Sequence, residues 1–459
     1  MGLVRGLGLL AAAAILIGDV IGTGVFLKAR VMTCNVGTPG MVIAAWVIGG
    51  LLSLAGALAV AELAAMMPRA GGEYVFIREA YGPLPGFLYG WTRFFVASTG
   101  AMAGLAAGFA IFVNVVTSGA LDTLAISIVP GTRLSVSGLQ AVAIGAIAVV
   151  TILNCGAITF SGRLAAGFTA LKVALVLAVG LGALFLADGS WAHFALSNGA
   201  GACYGVPVAA RGGAAGFGAA MLGALWAYNG WNEVTYVAEE VREPGRNLPF
   251  AIIGGIAVIA GLYIFANLMY FYVLSPTEIA NLSASSSVAT EVVTRVVGPG
   301  AASAMAAMMA MSIFGSLLLS SLVCARIPYA MARDGIFFRA LDRVSVRTRV
   351  PIRALIAQAA WGIVLVLSGS YDVLTDYAIF SILIFVSLAT ASVYVFRSRM
   401  PAAERPYRTW GYPVTPAIFL LVSVWLVINT VVTTPERALA GLGLMALGLP
   451  FYWYWSTRA

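Results

Sequence analysis

Apolar runs of helix length recur from one end of this chain to the other, and they fix the solvent it folds in. Examples are LLAAAAILIGDVIGTGVF at 9–26, VIAAWVIGGLLSLAGALAV at 42–60 and FLLVSVWLVINTVV at 419–432. About 18 or more mostly apolar residues in a helix cross the roughly 30 Å hydrocarbon core of a bilayer. The runs lack the alternation, in segments of about ten residues, that marks a membrane β-barrel. Composition agrees: 61% of residues are hydrophobic and 10% are charged, against about 25% charged in soluble domains. The class is an all-α integral membrane protein.

Charge, Pro and Gly bound twelve such spans, at about 6–29, 38–66, 84–115, 138–157, 164–187, 214–238, 249–275, 300–325, 354–370, 373–396, 413–433 and 438–455. No soluble domain fits between them, so residues 1–459 read as one transmembrane domain. The start, MGLVRGLGLLAAAAILIG, has the look of a signal peptide. Its apolar run continues through Phe26 without a cleavage site, and it reads as the first membrane helix.

The net charge of +8 comes from 24 Arg and two Lys, Lys28 and Lys172. No basic patch with interleaved aromatics lies on a soluble module, which argues against nucleic acid. Counted on alternate sides with the N-terminus inside, 18 Lys and Arg fall on the cytoplasmic side and six on the outer side. The bias places both termini in the cytoplasm, in the cytoplasmic (inner) membrane. The Arg-rich 326–353 segment reads as a topology determinant, with anionic lipid contact as a lesser role.

Four scattered cysteines without a CxxC, and the single His193, exclude a metal site and leave no catalytic cluster for an enzyme. No cofactor is called for. Cys34 and Cys203 can share the outer face, which allows a disulfide. An ion channel would show repeated filter loops, and none is found.

The first span is interrupted by IGDVIGTGVF (17–26), and the sixth by LWAYNGWNEV (225–234). Five helices apart, these spans cross the membrane in opposite directions. Interrupted helices at matching places of two antiparallel halves point to a secondary-transporter site. The halves would be a repeat at about 6–187 and another at about 214–396, with peripheral helices at about 413–455. Gly22 and Gly24 let the backbone leave helical geometry and approach a ligand. A broken helix exposes N–H groups at one fresh end and C=O groups at the other, which suit an anion and a cation respectively. Two facing breaks therefore suit a zwitterion, above all an α-amino acid. The alternative for GTG is plain helix packing through small residues. GTG is no dinucleotide fingerprint, since no GxGxxG follows a strand.

Taken in order, IGDVIGTGVF, AELAAMMPRAGGEYVFIREAYGP, NCGAITFSGRLAAGFTALK, LWAYNGWNEVTYVAEEVREPGRNLPFAI, ARIPYAMARDGIF and ERPYRTWGYPVTP resemble the amino acid–polyamine–organocation permeases. Within these the chain is similar to bacterial relatives of the L-type amino acid transporters, over nearly its whole length. The resemblance implies a LeuT-like fold: twelve transmembrane helices, a five-plus-five inverted repeat and broken helices 1 and 6. It implies an L-amino acid carrier working by alternating access, as a sodium-independent exchanger or facilitator. Gly22, Thr23 and Gly24 would take the substrate carboxylate. Val20, with carbonyls near Trp226 and Asn229, would hold the amino group, and Trp226 would gate the site. Lys172 would occupy the region that related symporters use for sodium.

Two positions depart from the family. Close relatives of the L-type group often carry Gly at the place of Asn229, and bacterial relatives often carry Asn at the place of Leu318. Ser312, Phe314 and Gly315 remain as lining residues from the eighth helix. The loop between spans three and four holds no cysteine, so no disulfide-linked heavy chain is expected there. The partners are the amino acid substrate and membrane lipid, and the assembly is a monomer or homodimer.

Asp19 lies near mid-membrane, where a charge must be neutral, paired or hydrated. Proton carriage, anchoring of the substrate ammonium and support of loose backbone all stay open for it. Lys172 reads as a coupling residue between the first and eighth helices. Glu62 and Glu233, near span ends, read as solvated or loop-anchoring. A proton-coupled amino acid symporter, or a polyamine or organic-cation carrier of the same fold, is the alternative function. The cation carrier would need more acidic side chains facing the cavity than Asp19 alone.

Overall fold

The computed structural model describes residues 6–127, 135–156, 158–199, 201–283, 286–348, 350–368 and 371–456. The chain forms α1 (Leu9–Val20), α2 (Gly24–Val36), α3 (Pro39–Met66), α4 (Glu73–Tyr81) and α5 (Pro83–Thr92). A π-helical turn, Arg93–Ala97, joins α5 to α6 (Ser98–Val116). Then come α7 (Gly138–Asn154), α8 (Ile158–Leu186), α9 (Gly213–Tyr228), α10 (Pro244–Val273), α11 (Pro276–Asn281), α12 (Val288–Val297) and α13 (Pro299–Cys324). The last are α14 (Arg326–Arg333), α15 (Ile352–Ser368), α16 (Tyr371–Arg399), α17 (Val414–Thr433), α18 (Pro435–Ala446) and α19 (Gly448–Ser456). The strands among the described residues are β1 (Ala125–Ser127) and β2 (Ser135–Ser137), paired antiparallel with Ile126 opposite Val136.

Eight described helical segments are long and apolar enough to cross a membrane, and α1 with α2, bent by 42° at their break, make a ninth. The helices α7 and α15 are apolar but have 17 residues each. The expected sixth span ends as a helix at Tyr228, and the chain continues as a 3-10 turn, Glu233–Glu240. Helix starts follow local chemistry. Thr38 caps α3 through the Met41 amide and is followed by Pro39 at a position with no partner to lose. Ser137 with Gln140, and Ser275 with Glu278, form capping boxes at α7 and α11.

The core lies where α1, α3, α6, α10 and α13 meet, and large apolar side chains such as Leu51, Ile152, Phe185 and Leu421 point outward. Such a belt has no place in water and fits lipid. The best windows of Pro83–Val116 and Ser303–Arg333 are each 78% buried, against 33% for α17 and 22% for Ala438–Ser456. The last helices are therefore the outermost.

At one end of the bundle, Cys34 and Cys203 form a disulfide, with Cα atoms 5.6 Å apart. The 197–212 connection is fastened there to α2: Asn198 Nδ2 donates to Thr33 O at 2.9 Å, Arg30 to Tyr204 O at 2.9 Å and Asn35 to Ala210 O at 2.6 Å. At the opposite end Leu7 bridges Val241, and the Gly6 amide donates to Glu240 O at 3.0 Å. Glu62 does anchor a loop, but it is buried rather than solvated. It accepts from Arg397 at 2.7 Å and from the Thr409 hydroxyl at 2.6 Å, and Arg405 lies 3.2 Å away.

Candidate functional site

The two interruptions face each other. Between α1 and α2, Ile21 leaves helical geometry (φ −72°, ψ 85°) and α2 restarts at Gly24. After α9, Asn229 is extended (φ −62°, ψ 145°) and Gly230 takes φ +110°. Gly22 and Gly24 do not use the left-handed freedom of glycine; their role is close approach. A Cβ on Gly24 would lie 2.4 Å from Ala227 Cβ, and one on Gly22 would lie 3.1 Å from Leu105 Cδ2. Gly24 thus packs helix on helix while also opening α2. Gly230 is the glycine whose backbone requires it, and its missing Cβ would sit 2.8 Å from Asp19 Oδ2.

Between the breaks lies a small cavity lined by Asp19, Val20, Gly22, Thr23, Gly24, Ala101, Leu105, Trp226, Asn229, Gly230, Glu233 and Ser320. The lining is buried apart from half-buried Asn229. Trp226 Nε1–H donates to Thr23 Oγ1 at 3.2 Å, tying the indole across the gap. The first amides of α2 have no preceding helical turn to donate to, and they present the positive end of that helix to the cavity.

Six of the residues expected from the sequence therefore come together: Val20, Gly22, Thr23, Gly24, Trp226 and Asn229. Ser312 and Phe314 lie outside the lining. Ser312 is buried on the same α13 stripe as Ser316 and Ser320, but one and two turns away from them. Phe314 packs on Phe109, with centroids 5.8 Å apart. Gly315 lies against Phe168.

The inner carbonyls are already engaged. Val20 O accepts from the Gly22 amide at 2.8 Å and from the Tyr263 hydroxyl at 3.0 Å, and that hydroxyl also reaches Ala227 O at 3.0 Å. Lys172 Nζ, fully buried, donates to Gly18 O and to Ser316 Oγ. Ser316 Oγ also lies 3.1 Å from Gly18 O and 3.0 Å from Ile21 O. Lys172 on α8 thus joins the end of α1 to α13.

Glu233 is 2% exposed, not solvated, because the 3-10 turn after the sixth break carries it inward. Arg93 Nη2 donates to its Oε1 at 2.8 Å, and the Cys324 thiol and Ser320 hydroxyl donate to Oε2 at 3.2 and 3.3 Å. The π-turn that begins at Arg93 sets this side chain; such single turns recur at functional sites. Arg93 also donates to the Tyr236 hydroxyl. Beyond it, Tyr89 and Asn232 donate to Glu73 Oε2 at 3.0 and 2.7 Å. Sequence reasoning missed Glu233 and Arg93 as site residues. Both are visible in the sequence as ionisable groups in or beside apolar spans, but their meeting depends on two local departures from the α-helix.

A family model described as amino acid permease matches residues 7–447. The chain belongs to that family. The permease is 30% identical to the b(0,+)-type amino acid transporter 1 of Mus musculus, over 97% of this chain and 86% of that protein. It is 30% identical to the Homo sapiens protein of the same name, over 97% and 87%. It is 29% identical to the large neutral amino acids transporter small subunit 2 of Oryctolagus cuniculus, over 98% and 81%. These relatives are transporters rather than enzymes, and the permease is a multi-pass membrane protein of the same family.

Proposed function

We propose that the permease carries L-amino acids across the cytoplasmic membrane by alternating access, as a sodium-independent exchanger or facilitator. The observation that carries this reading is the pair of helix breaks facing across one buried cavity. The amides opening α2 at Gly24 and the adjoining Gly22 and Thr23 backbone suit a carboxylate. Asp19, in the same lining, suits an ammonium. Trp226, held over the gap by Thr23, is the gate.

Twelve spans and a five-plus-five inverted repeat are part of this proposal. Adding α7, α15 and α9 to the nine counted segments brings the number to twelve. Three facts support the repeat: α2 packs on α9, α3 on α10 and α6 on α13, each pair at the same ordinal place in the two halves. The arginine bias favours cytoplasmic termini. The Cys34–Cys203 bond favours an outer position for its end of the bundle, since disulfides persist in oxidising compartments. Sodium independence is supported by Lys172, whose ammonium takes the Gly18 carbonyl and the Ser316 hydroxyl, oxygens of the kind a sodium ion would need.

The test is uptake of labelled L-alanine, L-leucine, L-serine, L-phenylalanine and L-arginine by purified protein in liposomes. It is run with and without internal amino acid, sodium and a pH gradient. The expected result is uptake of at least one amino acid that persists when choline replaces sodium, with internal amino acid accelerating it in an exchanger. Sodium-driven uptake would count against the role of Lys172, and no uptake of any amino acid would overturn the reading.

A further inference from the structure

The cavity holds more acid than a zwitterion site needs. Asp19 and Glu233 both line it, and a Cβ on Gly230, three residues before Glu233, would sit 2.8 Å from Asp19 Oδ2. Two ionised carboxylates in one buried cavity repel and have acceptors only, and a proton on one of them removes the repulsion. The charged groups around the pair come from every helix packed on it. Arg93 is bound to Glu233 Oε1, while Lys172 donates to the carbonyl of Gly18, the residue before Asp19, and to Ser316 Oγ. The neutral neighbours are Ser320 and Cys324 from α13, and Tyr236 beside Arg93. Glu73, the next acid, is bound by Tyr89, Asn232 and Tyr236. Among these described groups there are three acids and two bases. One proton makes the cluster neutral, and a buried site is held close to neutrality by the cost of burying unpaired charge.

We propose that Asp19 and Glu233 form a proton-binding site in the lining of the substrate cavity, and that an arriving substrate ammonium displaces the proton held there. The inference rests on the amino acid reading above. The carbonyls that the break would otherwise offer an ammonium are engaged: Val20 O by Gly22 and Tyr263, Gly18 O by Lys172 and Ser316. The acid pair is the negative group left facing the cavity. When the ammonium enters, it takes the place of the proton as the neutralising charge. The carboxyl O–H breaks, its electron pair stays on the carboxylate, and the proton passes to water in the access route. Substrate and proton then compete, so substrate affinity rises with pH, by up to about tenfold per unit while one proton is released per substrate bound.

The experiment uses purified full-length protein in weakly buffered detergent solution with a pH-indicator dye. Binding of labelled L-leucine and L-arginine is measured in parallel by scintillation proximity. Wild type is expected to release close to one proton per substrate bound at low pH, falling towards zero as the pair loses its proton, with affinity rising over the same range. Asp19→Asn and Glu233→Gln are each expected to abolish the release. Should one of them misfold or fail to bind, the other carries the test, and Glu233→Gln/Arg93→Gln, which leaves two acids to one base, is expected to keep the release. Binding without proton release in wild type, or release that persists unchanged in the single variants, overturns the acid pair while leaving the amino acid reading intact. Binding of neither L-leucine nor L-arginine, with no panel member taken up, removes both readings.

Discussion

Gly230 on the sixth-span break rests against the Asp19 carboxylate on the first: a Cβ at Gly230 would come within 2.8 Å of Asp19 Oδ2. The two interruptions are thus built against each other, and the contact can be broken by one methyl group. Gly230 also holds φ +110°, a conformation that costs a residue with a Cβ about 1–3 kcal/mol. Gly230→Ala is expected to lower amino acid uptake at least about tenfold, at a membrane expression level close to wild type. Uptake per mole of purified protein in liposomes checks it. Wild-type rates would show that the two breaks need not touch.

Lys172 holds α1 to α13 through Gly18 O and Ser316 Oγ. A hydrogen bond from a charged donor contributes about 1.5–3 kcal/mol, and Lys172→Ala removes both bonds at once. Turnover is expected to drop about tenfold or more, with uptake still indifferent to sodium unless the vacated site admits it. Comparing initial rates in sodium and in choline measures both effects. An unchanged rate would reduce Lys172 to a packing residue.

The Trp226–Thr23 link at 3.2 Å separates gating from ordinary packing. Trp226→Phe and Thr23→Val each remove one neutral hydrogen bond, worth about 0.5–1.5 kcal/mol. Each is expected to raise KM several-fold, and the double variant should be little worse than either single one. Trp226→Ala, which also removes the indole, should raise KM further. Strictly additive effects would mean that the two side chains act separately.

Much of this architecture was legible in the sequence because membrane burial leaves few choices. The helix-length runs and charge limits made a multi-span helical membrane protein legible, and the paired glycine interruptions together with the family resemblance named six residues that line one cavity. Other features depend on backbone departures that periodicity does not encode. The π-turn at Arg93 and the 3-10 turn at Glu233 rotate two ionisable side chains into the centre, so Glu233 is buried where a solvated or loop-anchoring group was expected. Trading Ser312 and Phe314 for Ser320 is a matter of depth along one helix, which spacing alone does not set. Of the two readings of GTG, packing through small residues is what Gly24 shows, lying against Ala227, and the non-helical dihedral belongs to Ile21.

The Cys34–Cys203 bond closes 169 residues of chain, and such bonds typically contribute about 2–4 kcal/mol. Cys34→Ser, Cys203→Ser and the double variant are expected to lower Tm by the same several degrees, since each loses the same link. Hydrogen bonds from Asn198, Arg30 and Asn35 still fasten the segment. Thermal unfolding in detergent, with and without reductant, measures it, and a double variant with wild-type Tm would contradict it.

Near the same end, Glu278 is pulled two ways. Burial opposes its charged form, but hydrogen bonds from Ser275 and Arg295 prevail and hold its carboxyl at about 2, against an ordinary 4.5. A depressed carboxyl stabilises the fold fully above its ordinary range and loses that contribution as pH falls towards 2. Glu278→Gln should therefore lower Tm at pH 6 by more than at pH 3. Melting curves at both values test this, and an equal deficit at both pH values would contradict it.

The central claim is that the facing breaks recognise both ends of an α-amino acid. It is tested most directly by competition against uptake of the best labelled amino acid in liposomes. The competitors are the unlabelled amino acid, its methyl ester, which lacks the carboxylate, and its α-hydroxy analogue, which lacks the ammonium. The account predicts that the zwitterion alone competes, with each analogue weaker by about a hundredfold or more, since each loses a charged hydrogen-bonded contact in a buried site. An ester or hydroxy acid that competes as well as the amino acid would contradict it.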